Sequence, residues 1–173
     1  MYASPPCNRY VVQTAASTLD FEAKSSLHPV LGKATHLSGF VVAHYEGDAL
    51  ALDPSPEMHV EFPVERLGSG NVMQDKEMWK LLESKRSPLI RADLRDLRPF
   101  ATNEYAANGE ITMCGRSRRY DGTLRIACAD AEMTVDGDLR LDIRDFGIVP
   151  PRFLMFSVQP EVKIRLHLVA KTA

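Results

Sequence analysis

The stretch Leu139 to Ile148 (LRLDIRDFGI) restricts the fold more than any other part of this chain. Leu139, Leu141 and Ile143 alternate with Arg140, Asp142 and Arg144. A period of two belongs to a strand with one dry face and one wet face. At Asp145 the phase slips, and Phe146 and Ile148 become the apolar set. Such a slip turns side chains to the opposite face unless an extra residue is inserted. The spacing therefore predicts a β-bulge or sharp bend near Arg144–Asp145, eased by Gly147, of the kind found where a sheet curls into a barrel. The alternative is a strand that stops at Arg144 and passes into a loop.

The same rhythm recurs along the chain. Arg9–Gln13 is a short opening strand, and Thr18–Lys24 sets Leu19, Phe21 and Ala23 against Asp20, Glu22 and Lys24. His28–Gly32 interrupts it. Lys33–Tyr45 reads as one or two extended pieces around Gly39, with Phe40-Val41-Val42 the driest part. Glu46–Asp48 is a turn and Asp53–Pro56 a rigid loop. Met58, Val60, Phe62 and Val64 alternate with polar neighbours, and Leu67–Asn71 is a flexible crossing. Asp75–Lys85 is the one helical pattern: Asp75 can cap it, and Met78, Leu81, Leu82 and Lys85 share a stripe with Trp79 alongside. Pro88 marks its end. Ile90–Leu94, Tyr105–Met113, Tyr120–Cys128 and Val162–Leu168 then return to alternation, and Asp136-Gly137 reads as a hairpin turn.

About eight single-faced strands with short connections make an antiparallel sandwich or an up-and-down barrel. The even run of strands and the bend near Asp145 favour the closed barrel. The one helix should lay Met78, Leu81 and Leu82 against it and close one end. The 173 residues suffice for one domain with a real core. No linker or internal repeat divides them.

The formal net charge is -2 and both signs are interspersed, so nothing argues for nucleic acid. The basic run Arg116, Arg118, Arg119 is read as a solvated turn or strand edge. No apolar run approaches the ~20 residues that span a bilayer. Met1–Tyr10 lacks the apolar core of a signal peptide, so the expected location is the cytoplasm, or the periplasm if a leader has been removed. Three cysteines without a C-x-x-C pair (Cys7, Cys114 and Cys128) fit a reducing compartment. The histidines (His28, His36, His44, His59, His167) show no metal-ligand spacing, and no cofactor motif occurs. Cys128 has buried parity, Cys114 sits at a turn beside Gly115, and Asp142 has wet parity. Cys114 and Cys128 could be nucleophiles, and Asp142 with Asp145 an acid–base pair; their positions favour interior packing for Cys128, a turn for Cys114 and a solvated role for Asp142.

What the chain offers is hydrocarbon. Phe21, Phe40, Trp79, Phe146 and Ile148, with seven methionines, could line an apolar site or fill a solid core. Composition and periodicity leave both open.

Certain motifs also resemble a known family. Gly32-x-Ala-x-x-Leu-x-Gly39 resembles the G-x-F-x-x-F-x-G turn of the YceI-like family. Gly109 to Arg118 (GEITMCGRSR) resembles its G-x-L-T-x-x-G-x-T-K hairpin, and Asp145-Phe-Gly-Ile148 its D-F-x-I segment. Asp75 before the helix and Pro88-Leu-Ile90 after it stand in the expected order. The resemblance runs from about Arg9 to Lys171. The chain departs from the pattern at Ala34 and Leu37, which replace aromatics, at Gln74 before Asp75, and in offering Leu81-Leu82 where Asp-Phe-Phe is usual. The resemblance implies an all-β, lipocalin-like antiparallel barrel that holds a polyisoprenoid or fatty-acyl chain, with no catalytic residues. On that reading Phe21, Leu37, Phe40, Met78, Trp79, Leu82, Phe146 and Ile148 are the candidate ligand contacts. A homodimer is compatible with it. The alternatives are an enzyme or stress-response factor acting on an apolar substrate, and an interaction module without ligand.

Overall fold

Alternating strands bury their dry faces only if the sheet closes or is covered. Here it closes. The computed structural model describes residues 8–153 and 156–173. Cys7, and most of the segment read for a leader, lie outside them. The strands are β1 (Asn8–Val12), β2 (Thr18–Ser25), β3 (Val30–Ala34), β4 (Ser38–Ala43), β5 (Tyr45–Glu46), β6 (Ala49–Leu50), β7 (Glu57–Pro63) and β8 (Leu67–Gly68). After the helix α1 (Val72–Leu81) come β9 (Leu89–Ala101), β10 (Glu104–Met113), β11 (Arg116–Ala129), β12 (Glu132–Asp142), β13 (Arg152–Phe153) and β14 (Phe156–Thr172).

The ring runs β1-β4-β7-β9-β10-β11-β12-β14 and returns to β1, a closed barrel of eight antiparallel strands. On β14 the edge facing β1 is shared: Ala170–Thr172 pair with β1, and Val158–His167 pair with β2. β3 pairs with β2, and β8 with β3. Thus β1 with β2, β3 with β4, and β7 with β8 each follow one strand path that is broken once. The breaks are a 3₁₀ turn at Thr14–Ala16, residues 35–37, and a 3₁₀ turn at Val64–Arg66. They lie side by side. Thr14 Oγ1 donates to Leu37 O at 3.0 Å, and Thr35 N donates to Arg66 O at 3.3 Å. Buried Ser17 completes the row, its hydroxyl accepting from Val169 N at 3.0 Å.

Beyond the breaks the sheet flares. Among the described residues β8 pairs with β3 alone, because β9 begins at Leu89, opposite Pro63 at the end of β7. The gap is filled by α1.

Several sequence expectations are corrected. No bulge occurs at Arg144–Asp145: β12 ends at Asp142, and a 3₁₀ turn spans Ile143–Phe146. Asp142 caps that turn through its carboxylate, accepting from Arg144 N at 2.9 Å, and Gly147 closes it at φ 77°. The phase slip is therefore the strand's end, which a capping aspartate makes favourable. Asp136-Gly137 is no hairpin turn but the middle of β12; the turn is at Asp130-Ala131. Asp136 faces out to His167, 2.7 Å away. Gly137 faces in, where a Cβ would stand 2.9 Å from Leu124 Cδ2. Glycine there makes room for a core leucine.

The helix starts three residues earlier than expected and ends at Leu81, so Lys85 lies outside it. Its cap is Asn71, whose side chain accepts from Met73 N and Gln74 N at 3.1 Å each. Leu67-Gly68, read as crossing loop, is the short edge strand β8. Phe40 belongs to the outer face of β4, whose inward residues are Val41 and Ala43. Its ring lies under Arg9, 4.0 Å from the guanidinium carbon, and against His59.

A hydrocarbon cavity beneath a tethered helix

The inner surface divides at the row of breaks. In the closed half Tyr10, Val12, Val41, Ile126, Val135 and Leu168 are all buried and fill the barrel. Three phenols and a thiol gather at its far end. The Tyr10 hydroxyl lies 3.5 Å from Cys128 Sγ, and the Tyr45 hydroxyl is buried without a hydrogen-bond partner among the described residues. Burial pushes the Tyr10, Tyr45 and Tyr105 phenols up from their ordinary pKa, so it favours their neutral form.

In the flared half the side chains do not meet. They leave a cavity of about 220 Å³. Its walls are Leu19 and Phe21 of β2, Ile90 and Ala92 of β9, Leu139 and Leu141 of β12, and Val162, Ile164 and Leu166 of β14. Met78, Leu81 and Leu82 close it from the helix side, and Ile143 and Ile148 from the 3₁₀ turn and the residues after it. The polar side chains on the lining are Ser69, Gln74, Gln159 and Arg91. Arg91 is exposed and its guanidinium reaches Glu61 outside, at 3.7 Å. The Phe21 ring lies directly over Gly32: a Cβ on Gly32 would fall 2.3 Å from Phe21 Cζ.

The helix is held by polar tethers rather than by a strand ladder. Buried Asp75 accepts from Ser69 N at 2.8 Å and Ser69 Oγ at 2.6 Å. Trp79 Nε1 donates to Leu67 O at 2.9 Å. At the other end Cys114 Sγ reaches Leu82 O at 3.4 Å. Asp75→Ala leaves the half-buried Ser69 N–H unpaired, an expected loss of about 1–3 kcal/mol in urea unfolding. Hydrogen exchange in α1 should rise with it. Exchange unchanged in α1 would show that apolar packing alone holds the helix.

Of the candidate contacts, Phe21, Met78, Leu82 and Ile148 line the cavity. Trp79 is partly buried beside it as a tether, and Leu37 is buried at the row of breaks. Phe146 sits behind the wall, buried and stacked on Tyr120 with ring centroids 6.0 Å apart. Phe40 is outside. Reading by aromatic size missed the aliphatic lining of β9, β12 and β14. The alternation of those strands carried the signal, since Ile90, Leu139 and Ile164 all have inward parity.

The groups weighed for other chemistry are engaged. Asp142 pairs with Arg144 at 2.7 Å, and the Arg144 bonds hold its carboxyl below the usual range. Asp145 accepts from the Tyr120 phenol, which is pushed up to about 12, by burial first and then by that bond. The Cys114 thiol is pushed up by burial, and the nearby Glu83 adds to this, so it is not an activated nucleophile. On the outer face His59 lies between Asp93 at 2.7 Å and Glu61 at 3.2 Å. Desolvation opposes its charge, but the two carboxylates outweigh it and raise its pKa. A wider groove of about 920 Å³ crosses the outer face of β12, β14, β2 and β3. Asp20, Glu22, Lys33, Arg140, Lys163 and Arg165 line it, so its chemistry is opposite to that of the cavity.

The model of the YceI-like domain matches residues 10–170. This chain belongs to the YceI-like family. No curated protein matches the sequence. Among solved structures, the YceI-like chain resembles BcnA of Burkholderia cenocepacia at 20% identity and TM-score 0.77, over 92% of this chain and 99% of that one. A polyisoprenoid binding domain from Saccharophagus degradans, implicated in plant cell wall breakdown, matches at 12% and 0.71, over 95% and 98%. The Campylobacter jejuni YCEI protein matches at 12% and 0.62, over 83% and 85%. At these identities the likeness concerns the fold. The YceI-like barrel here is hollow in one half and solid in the other.

Proposed function

We propose that this protein binds, and carries or stores, a long and largely uncharged lipid chain, polyisoprenoid or fatty-acyl, in the flared half of the barrel. The observation that carries the reading is the cavity: about 220 Å³ of space bounded mainly by apolar side chains and roofed by a tethered helix. Such a chain asks no hydrogen bonds of its walls, and burying it yields about 0.8 kcal/mol per methylene. Apolar sites are lined mainly by hydrocarbon with few polar groups, as here. The volume is below the roughly 300–1,000 Å³ of common ligand pockets, so a segment of the chain lies inside while α1 is in this position. The solved relative described as a polyisoprenoid binding domain supports the choice of ligand class.

The experiment is extraction of the purified protein with organic solvent, mass spectrometry of the extract, and titration of the delipidated protein with a fluorescent polyprenyl or fatty-acyl probe. Saturable binding with a Kd in the micromolar range or below is expected, on the order of 8 kcal/mol. Failure of the delipidated, folded protein to bind either probe would leave a barrel with a dry void and no cargo.

A further inference from the structure

The flared end carries a second feature. Seven large hydrophobic residues are exposed among the described residues: Val11, Leu27, Leu31, Val72, Met73, Phe100 and Val149. Five of these lie within three residues of a side chain that lines the cavity; Val11 and Phe100 do not. The four most exposed are Leu27 (69%), Val72 (67%), Met73 (80%) and Val149 (77%). They come from three separate segments. Leu27 is in the β2–β3 turn, just before the lining residue Val30. Val72 and Met73 open α1, just before Gln74. Val149 stands between Ile148 and Pro151.

These segments are held in place. Ser26 N donates to Ser157 O, and Ser157 N to Ser26 Oγ, both at 3.0 Å, while Val158 N donates to Pro151 O at 3.0 Å. Asn71 fixes the start of the helix. Gln159, exposed and yet on the cavity lining, shows that the cavity reaches the surface at this end. Lys24, Lys76 and Arg152 are exposed nearby, and none has an ion-pair partner among the described residues.

We infer that this end of the barrel docks on an anionic phospholipid bilayer, from which the cavity is loaded or into which it empties. The inference rests on the lipid-binding reading. Separate apolar side chains projecting from fixed segments, with exposed basic residues among them, match a surface whose apolar layer lies beneath anionic headgroups. The continuity of these side chains with a hydrocarbon cavity gives such a surface its use: a chain passing between the two stays out of water.

The test is flotation of the full-length protein with phosphatidylcholine vesicles, with and without phosphatidylglycerol. The protein should float with the anionic vesicles, less with the neutral ones, and less as salt rises. The double variant Leu27→Asp, Met73→Asp should partition at least tenfold more weakly, about 1.4 kcal/mol. Phe100→Asp, also exposed but at the other end, should partition as the wild type does. Both sites are exposed, and an unchanged Tm confirms the fold of each variant. No flotation of the wild type, or equal loss in Phe100→Asp, would overturn the docking face. Probe titration without vesicles is read separately. Flotation lost with probe binding kept removes the docking surface alone, whereas flotation kept without probe binding removes the cargo reading alone.

Discussion

Gly39→Ala is expected to destabilise the fold severely. Gly39 has φ +146°, a conformation that side chains with a Cβ rarely adopt. A Cβ there would stand 1.9 Å from His59 O, 2.8 Å from His59 C and 3.0 Å from Val60 Cα. All three are backbone atoms of β7, which pairs with β4 through Gly39 and Val60. The clash cannot be relieved by turning a side chain. It has to part β4 from β7, next to the row of breaks where the barrel begins to flare. A loss of about 4 kcal/mol or more follows, a substantial fraction of the roughly 5–15 kcal/mol of a typical domain. Urea unfolding followed by circular dichroism measures it. A midpoint close to that of the wild type would mean that the β4–β7 approach is looser than described.

Gly39 also shows what the sequence could and could not disclose. It was legible as the joint between two extended pieces, but the joint itself is at residues 35–37, and Gly39 lies inside β4. Alternation along single strands identified the strands, because one buried face with one charged face is a local property of each; it left sandwich and barrel open, and the supposed bend that helped to favour the barrel is the end of β12. The aligned breaks were not legible. They exist through hydrogen bonds between segments far apart in the chain, such as Thr14 to Leu37 and Thr35 to Arg66. Phe40 was misplaced for a related reason. In Phe40-Val41-Val42 every residue is apolar, so the run carries no phase, and only pairing with β1 and β7 decides that Val41 points inward. Asp136-Gly137 has the composition of a turn, yet its glycine lies within β12 and leaves room for Leu124 across the strand pair. The helix stripe was clear, whereas its cap was not: Asp75 has the chemistry of a capping residue but bonds backward to Ser69, and Asn71 caps instead. As for the cavity, periodicity named most of its walls without revealing that they fail to meet. A void depends on distances between strands.

Ala92→Phe is expected to remove lipid binding while leaving the fold intact. Ala92 lies on β9 between Val60 of β7 and Ile111 of β10, and all three line the cavity. Its methyl group faces the space from a rigid three-strand segment, so the enlarged side chain enters the void rather than the solvent. A phenyl ring there displaces on the order of four or five methylenes of cargo. At about 0.8 kcal/mol each this costs about 3–4 kcal/mol of binding, a loss of roughly 200- to 1,000-fold. Stability should change little or rise, because the ring fills empty space and makes contacts that the void lacks. This separates the substitution from one at Phe146, where an effect on binding would follow from damage to the buried Tyr120 stack behind the wall. The measurements are probe titration of the delipidated variant and its urea midpoint, both against the wild type. Wild-type affinity in a variant of undiminished stability would place the ligand outside the flared half of the barrel. The charged outer groove beside Lys163 and Arg165 would then be the site to test.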